Sequence, residues 1–331
     1  MSTDETGLPE ARLAATAAAL QSDSGSLYHL VAGLMGEGMP FETILYDVLV
    51  PAEQDIGSRW QSGDYLVSEE HAATATVENV VSLLAGSFDL PKDGAHVVVG
   101  AVEGDHHALP ARLIAAHLLY LGYRAVSLGA NVLASDLREY LAIEPPDALV
   151  LSCAMTNHLI GARAAIRAGH DAGVPVIVGG KGFGEAGRWA TPLGADSWVP
   201  TPRDVSEVLG SWSPDPETSE AAAVDPSEDL LQLVGRRSFV IGAAQSELAS
   251  VRGDLDGTRL TDELSLLLGA VEASLLVADD RVIIDMLRWQ GTTLAAHGYD
   301  GSGLIAEALS SGLTGVSSSA QAALRRAMGS S

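Results

Sequence analysis

The chain has 331 residues, 47% of them hydrophobic, and a formal net charge of −24 at pH 7. That length allows two or three domains with buried cores, and that charge repels phosphate backbones and anionic lipid, which argues against nucleic acid and membrane as partners. The opening Met1-Ser-Thr-Asp-Glu lacks the basic and apolar regions of a secretory signal, and Cys153 is the single cysteine, so no intrachain disulfide is available and a cytoplasmic protein is expected.

Residues 1–23 read as a loose leader with one short helix. From 24 to 90 the apolar spacing is helical: Leu27, Leu30, Val31 and Leu34 share a face, as do Ile44, Leu45, Val48 and Leu49, then Ile56 and Trp60. Val67, His71, Thr74, Val77, Val80, Val81 and Leu84 continue in steps of three and four. Gly-Glu-Gly-Met-Pro (36–40) and Gln-Ser-Gly-Asp (61–64) interrupt the pattern, which predicts a small helical bundle.

From 91 to 210 the pattern becomes strands alternating with helices. Ala95–Val102, Ala125–Leu128, Ala148–Ser152, Val174–Val178 and the weaker Asp196–Val199 are runs of strand length. Such alternation predicts a five-stranded parallel sheet with helices on both faces, and ligands of such sheets bind beyond the carboxyl ends of the strands. The loops there are expected at Glu103–Pro110, Gly129–Val132, Ser152–His158 and Gly179–Gly184, forming one rim. Residues 211–228, rich in Ser, Pro, Asp, Glu and Ala, read as a linker. Residues 229–331 read as helical throughout, with breaks at Gly253–Gly257, Gly298–Gly303 and Gly312–Gly315.

The first rim loop carries Glu103-Gly-Asp-His-His-Ala-Leu-Pro. Within it Asp105 stands two residues before His107, and a carboxylate beside a metal-bound imidazole orients the ring and strengthens it as a donor. The bland alternative is a polar loop leading into a helix started by Pro110. Ser152-Cys-Ala154 closes the third strand and Gly179-Gly180-Lys181 the fourth.

These elements in this order resemble the cobalamin-binding fingerprint of methionine synthase, corrinoid carrier proteins and adenosylcobalamin mutases, over roughly residues 92–210. The resemblance implies a flavodoxin-like domain. It implies His107 as the lower axial ligand of cobalt, Asp105 as its partner, and a slot for the nucleotide tail lined by Ser152, Gly179 and Gly180. Thr156, on the Ser152 loop, joins the cofactor-binding candidates. Pro110 and Ala154 depart from the family pattern, where a Gly and a Leu are usual. Cys153 reads as a small buried residue rather than a nucleophile.

Trp60, followed by Glu70 and His71, resembles the helical cap of adenosylcobalamin-dependent light-sensing repressors. That resemblance implies that Trp60 packs on the adenosyl group, that Glu70 binds its polar edge, and that His71 takes the vacated upper cobalt position after light. The alternative is a core tryptophan and a solvated helix face. Too few residues precede Ser24 for a DNA-binding domain, so repressor action by this chain alone is not expected.

The third domain looks loosely like the globin-like folds of sensor modules and phycobiliproteins. The domain order resembles the photocobilins, which bind adenosylcobalamin and biliverdin together. It implies a noncovalent bilin, with Arg236, Arg237 or Arg288 on its propionates and Asp285, Trp289, His297 and Tyr299 near its rings. A haem site using His297 and a ligand-free interaction or dimerisation module are the alternatives. His297 taken alone reads as a helix-end residue.

The expected function is that of a non-enzymatic light sensor acting as a homodimer on a separate effector protein. The alternative is a corrinoid carrier passing methyl groups between methyltransferases. A mutase would need a substrate barrel of about 250 residues, for which this chain has no room.

Overall fold

The computed structural model describes residues 7–88, 94–211, 223–251, 257–299 and 301–330. The cap opens with α1 (Leu8–Leu20) and α2 (Ser24–Gly36). A helical run follows from Phe41–Thr43 through a π-helical turn, Ile44–Leu49, into α3 (Val50–Gln61), and the cap closes with α4 (Val67–Ser87). The π turn has a local cause. Pro51 has no N–H and its ring crowds the carbonyl four residues back. That carbonyl, on Asp47, accepts from Arg12 Nε at 2.6 Å instead.

The short helix expected within the leader is part of the bundle. Ala11, Ala15, Ala18 and Ala19 of α1 are buried in one apolar cluster with Leu27, Phe41, Ile44, Leu45, Leu49, Ile56 and Val80. Small side chains at three- and four-residue spacing let that helix approach its neighbours closely, a face that hydrophobicity alone understates.

The middle of the chain runs β1 (His96–Val102), α5 (Leu109–Tyr120), β2 (Arg124–Val132), α6 (Ala134–Ile143) and β3 (Ala148–Ser152). A short 3-10 turn, Thr156–His158, leads into α7 (Leu159–Asp171), followed by β4 (Val176–Gly179), β5 (Ser197–Val199) and α8 (Asp204–Ser211). The strands pair in parallel in the order β2-β1-β3-β4-β5. This is the flavodoxin-like order, and it puts the topological switch point between β1 and β3. The apolar runs of β1 and β3 are central and fully buried. Edge strand β2 is half exposed and longer than its apolar run, taking in Gly129–Val132, which sequence reading had assigned to a loop.

The last third is helical wherever described: α9 (Glu228–Gly235), α10 (Arg237–Val251), α11 (Gly257–Val277), α12 (Arg281–Ala296), α13 (Ser302–Gly312) and α14 (Ser318–Met328). The expected break at Gly253–Gly257 lies almost wholly outside the described residues, as does most of the expected linker. The helices do not form a separate core. Leu264, Leu268, Val271 and Leu309 belong to one buried cluster with Leu149, Leu151, Leu159 and Ile166 of the α/β domain. Among the described residues no helix is long and apolar enough to cross a membrane.

Candidate functional site

A cavity of about 890 Å³ opens between the cap and the carboxyl ends of the strands. Its rim side is lined by His106, His107, Ser152, Ala154, Gly179, Gly180 and Lys181, and its cap side by Glu53, Glu70, His71, Thr74 and Glu78. That size matches a large organic ligand.

His107 lies in the loop between β1 and α5, at the switch point. Its Nδ1 donates to Asp105 Oδ1 at 2.6 Å, and its backbone N–H donates to the same oxygen at 3.0 Å. The other carboxylate oxygen accepts from the Ala154 N–H at 2.5 Å. Asp105 is fully buried. Burial raises its pKa, but the bonds from His107 and Ala154 outweigh that and hold the carboxyl below its ordinary range. Conversely, the bond to Asp105 lifts the His107 pKa, against burial, and the Glu70 charge across the cavity adds to the lift. With Nδ1 committed as donor, Nε2 is the nitrogen left to offer a lone pair.

The loop is braced from β2. Gly104, at φ +86, donates its N–H to Asn131 Oδ1 at 2.8 Å, and Asn131 N–H donates to the Asp105 carbonyl at 2.8 Å. Asn131 therefore holds the His107 loop from the segment read as a separate loop, a role the sequence pattern did not signal.

At the β4 end Gly180 has φ +104, and a Cβ there would collide with the Cys153 carbonyl oxygen. The Gly182 N–H donates to that same oxygen at 2.9 Å. Cys153 is buried, its thiol donates to the Met155 carbonyl at 3.3 Å, and burial pushes its pKa well up. It is a buried packing residue.

On the cap, the two adjacent carboxylates of α4 divide their work. Glu69 accepts from the Leu66 N–H at 2.7 Å and caps the helix, while Glu70 faces the cavity. His71 lies 3.6 Å from Glu70 with its side chain 73% exposed. Sequence reading missed Glu53. It stands seven residues before Trp60 on α3, a spacing that puts both near one helix face and could have marked it. The Thr74 hydroxyl lies 2.9 Å from Glu53 Oε2 and 3.2 Å from Glu70 Oε1. Burial pushes the Glu53 carboxyl up to about 7, only partly offset by Thr74.

Trp60 is not in the cavity lining. Its ring centroid lies 6.2 Å from that of Trp289 and 6.0 Å from that of His297. The cap thus meets α12 through this indole, and a Cβ on Gly63 would sit 2.6 Å from the Ala296 carbonyl oxygen. Thr156 is also outside the lining, in the 3-10 turn beneath α11.

Of the residues expected around a bilin, Trp289 and His297 lie together against Trp60. Arg236, Asp285 and Arg288 are exposed. Arg237 is committed, donating to buried Glu272 and, at 2.6 Å, to the Ser265 carbonyl. Tyr299 carries the Arg259 guanidinium 4.2 Å above its ring. His297 ends α12, its Nδ1 2.9 Å from the Thr293 carbonyl.

The residues present suit a corrinoid. His107 presents one nitrogen at the switch point, and among the described residues no group of three or more His, Cys, Asp or Glu could cage a bare metal ion. A metal held here would arrive with its own equatorial ligands. Two buried polar atoms of the lining, Trp198 Nε1 and Glu53 Oε1, lack a partner, as a wall awaiting a polar ligand would.

Comparison with known proteins defines the class. One B12 binding domain family matches residues 95–204, the sheet and its rim. A second B12 binding domain family matches residues 14–85, the cap. The chain is thus built around cobalamin-binding domains. It is 30% identical over 137 residues to the HTH-type transcriptional repressor CarH of Myxococcus xanthus, covering 40% of this chain and 46% of that protein. The match therefore spans less than half of the repressor. It is 21% identical over 202 residues to a corrinoid protein of Desulfitobacterium hafniense, covering 58% of this chain and 92% of that one. The monomethylamine corrinoid protein of Methanosarcina barkeri shares the fold, with a TM-score of 0.53 and 20% identity over 62% of this chain and 99% of its own.

Proposed function

We propose that the chain is a light-responsive signalling protein that holds adenosylcobalamin base-off between cap and sheet, with His107 as the lower axial ligand. The observation that carries this reading is the meeting of Glu70 and His71 with His107 in one cavity. When bound, adenosylcobalamin would supply a weak cobalt–carbon bond that absorbs visible light. Asp105 fixes the His107 tautomer and ring plane. Ser152, Gly179 and Gly180 would line the slot for the nucleotide tail. Glu70 presents a carboxylate from above. His71, exposed on the same helical turn, is the imidazole that the cap brings to the cavity and in this reading the donor for the lit state. Loss of the upper group would bias the packing of cap against sheet, and a homodimer or a separate effector would read that change. A noncovalent biliverdin in the last domain is the second part of the proposal, supported by domain order.

The test mixes purified protein with adenosylcobalamin and biliverdin in the dark, desalts it, and records spectra before and after green and red light. Retained cobalamin bands that change under green light support the light sensor, and a retained red-absorbing band supports the bilin. His71→Ala should keep the dark spectrum and alter the lit one; an unaltered lit spectrum removes His71 from the mechanism.

A corrinoid carrier is the second reading, favoured by one observation: Trp60, expected on the upper ligand, packs on Trp289 instead. Retention of methylcobalamin, with loss of adenosylcobalamin and no response to light, would put it first.

A further inference from the structure

The cavity is acidic on one side and carries a fixed cation on the other. Three carboxylates, Glu53, Glu70 and Glu78, line the cap side. Lys181 is the only Lys or Arg of the lining, and no carboxylate among the described residues pairs with it. In a chain of net charge −24 an unpaired lysine kept at a ligand cavity calls for an anion.

The backbone fixes where this ammonium starts. Lys181 opens the turn Lys181–Phe183 between two constrained glycines. A Cβ on Gly180 would collide with the Cys153 carbonyl, and a Cβ on Gly182 would lie 2.5 Å from Cys153 Sγ. The turn is therefore pressed onto the end of β3, beside buried Ser152. One strand over, Trp198 pairs with Val178 in the sheet and also lines the cavity, and its buried indole N–H has no acceptor. Lys181 and Ser152 thus line the same cavity with a cation and a hydroxyl, donors suited to an anionic oxygen cluster.

Resting on the cobalamin reading above, we infer that Lys181 binds the phosphodiester of the cofactor's nucleotide arm, beside the Ser152 hydroxyl, and so makes the site prefer complete corrinoids over those lacking the arm. The phosphodiester is the one permanent anion of cobalamin's periphery, and a lysine acts on it as a point charge.

The test compares equilibrium titrations, in the dark, of adenosylcobalamin and of adenosylcobinamide, which keeps corrin and cobalt but ends before the phosphate. Lys181→Gln should weaken adenosylcobalamin about tenfold, as expected for one charge-assisted contact, with a loss that shrinks as salt rises. Adenosylcobinamide should bind the variant and the wild type alike, and Lys181→Arg should keep most of the cobalamin affinity. An equal loss for both ligands would assign Lys181 a merely structural role and overturn the inference. No loss for either would overturn it while leaving cobalamin binding in place. A wild-type protein that binds neither ligand would sink the cobalamin reading and this inference with it.

Discussion

Trp60 of the cap and Trp289 of the C-terminal helices face each other with ring centroids 6.2 Å apart, and His297 completes the cluster. The residue expected to touch the upper ligand is thus a contact between the cap and the last domain, beside that of Gly63 with Ala296. A change felt by α3, which also carries cavity residue Glu53, has a direct route to α12.

That contact should be measurable as a coupling. Trp60→Ala and Trp289→Ala should each lower the unfolding midpoint, and the double variant should lose less than the sum. Aromatic pairs couple by about 0.5–1.5 kcal/mol in such cycles, whereas strict additivity would mean that the rings do not support each other.

The Asp105–His107 pair gives a second prediction. Asp105→Asn keeps the shape but loses the charge that lifts the His107 pKa. Cobalamin affinity should fall about tenfold to a hundredfold, the usual cost of removing a partner behind a metal-bound histidine. His107→Ala should remove the spectral signature of imidazole ligation altogether. Absorption titrations check both.

Gly180→Ala forces a side chain into a left-handed backbone against the Cys153 carbonyl. Strain and clash should together cost about 1–3 kcal/mol or more. Chemical denaturation should show the lowered midpoint, with reduced cobalamin binding because the floor of the site has moved.

Glu53 sets a pH dependence. Its carboxyl sits at about 7 in the folded chain against 4.5 ordinarily, because burial opposes the charged form. The folded state then holds more protons than the unfolded one between those values. Stability is therefore highest below the lower value and falls as pH rises through the window. Glu53→Gln should remove that decline, so its thermal midpoint should exceed that of the wild type at pH 8 and approach it near pH 4. Parallel profiles for the two proteins would show that Glu53 ionises freely.

Much of the α/β domain was legible because buried parallel strands are continuous apolar runs. Ala148–Ser152 was read to the residue. Edge strand β2 is longer than its legible run because the glycine and asparagine of Gly129-Ala-Asn-Val132 read as a turn, although Asn131 there braces the His107 loop. Helix α1 is legible as a short helix, but not as part of the cap, because its buried face is alanine.

The sequence by itself determined the order of strands and helices, the Asp105-x-His107 loop at the end of β1, and the glycines at the end of β4. Those features are local: each depends on residues a few positions apart, through periodicity, turn geometry or a two-residue hydrogen bond. Only the tertiary structure decided which distant side chains share a space. It brought Glu53 and Glu70 over His107, turned Trp60 away toward Trp289, committed Arg237 to Glu272, and left Lys181 without a carboxylate partner among the described residues. Those outcomes depend on how separate elements pack against one another, as the helices of Trp60 and Trp289 do, and apolar patterning says which face is buried but not against what.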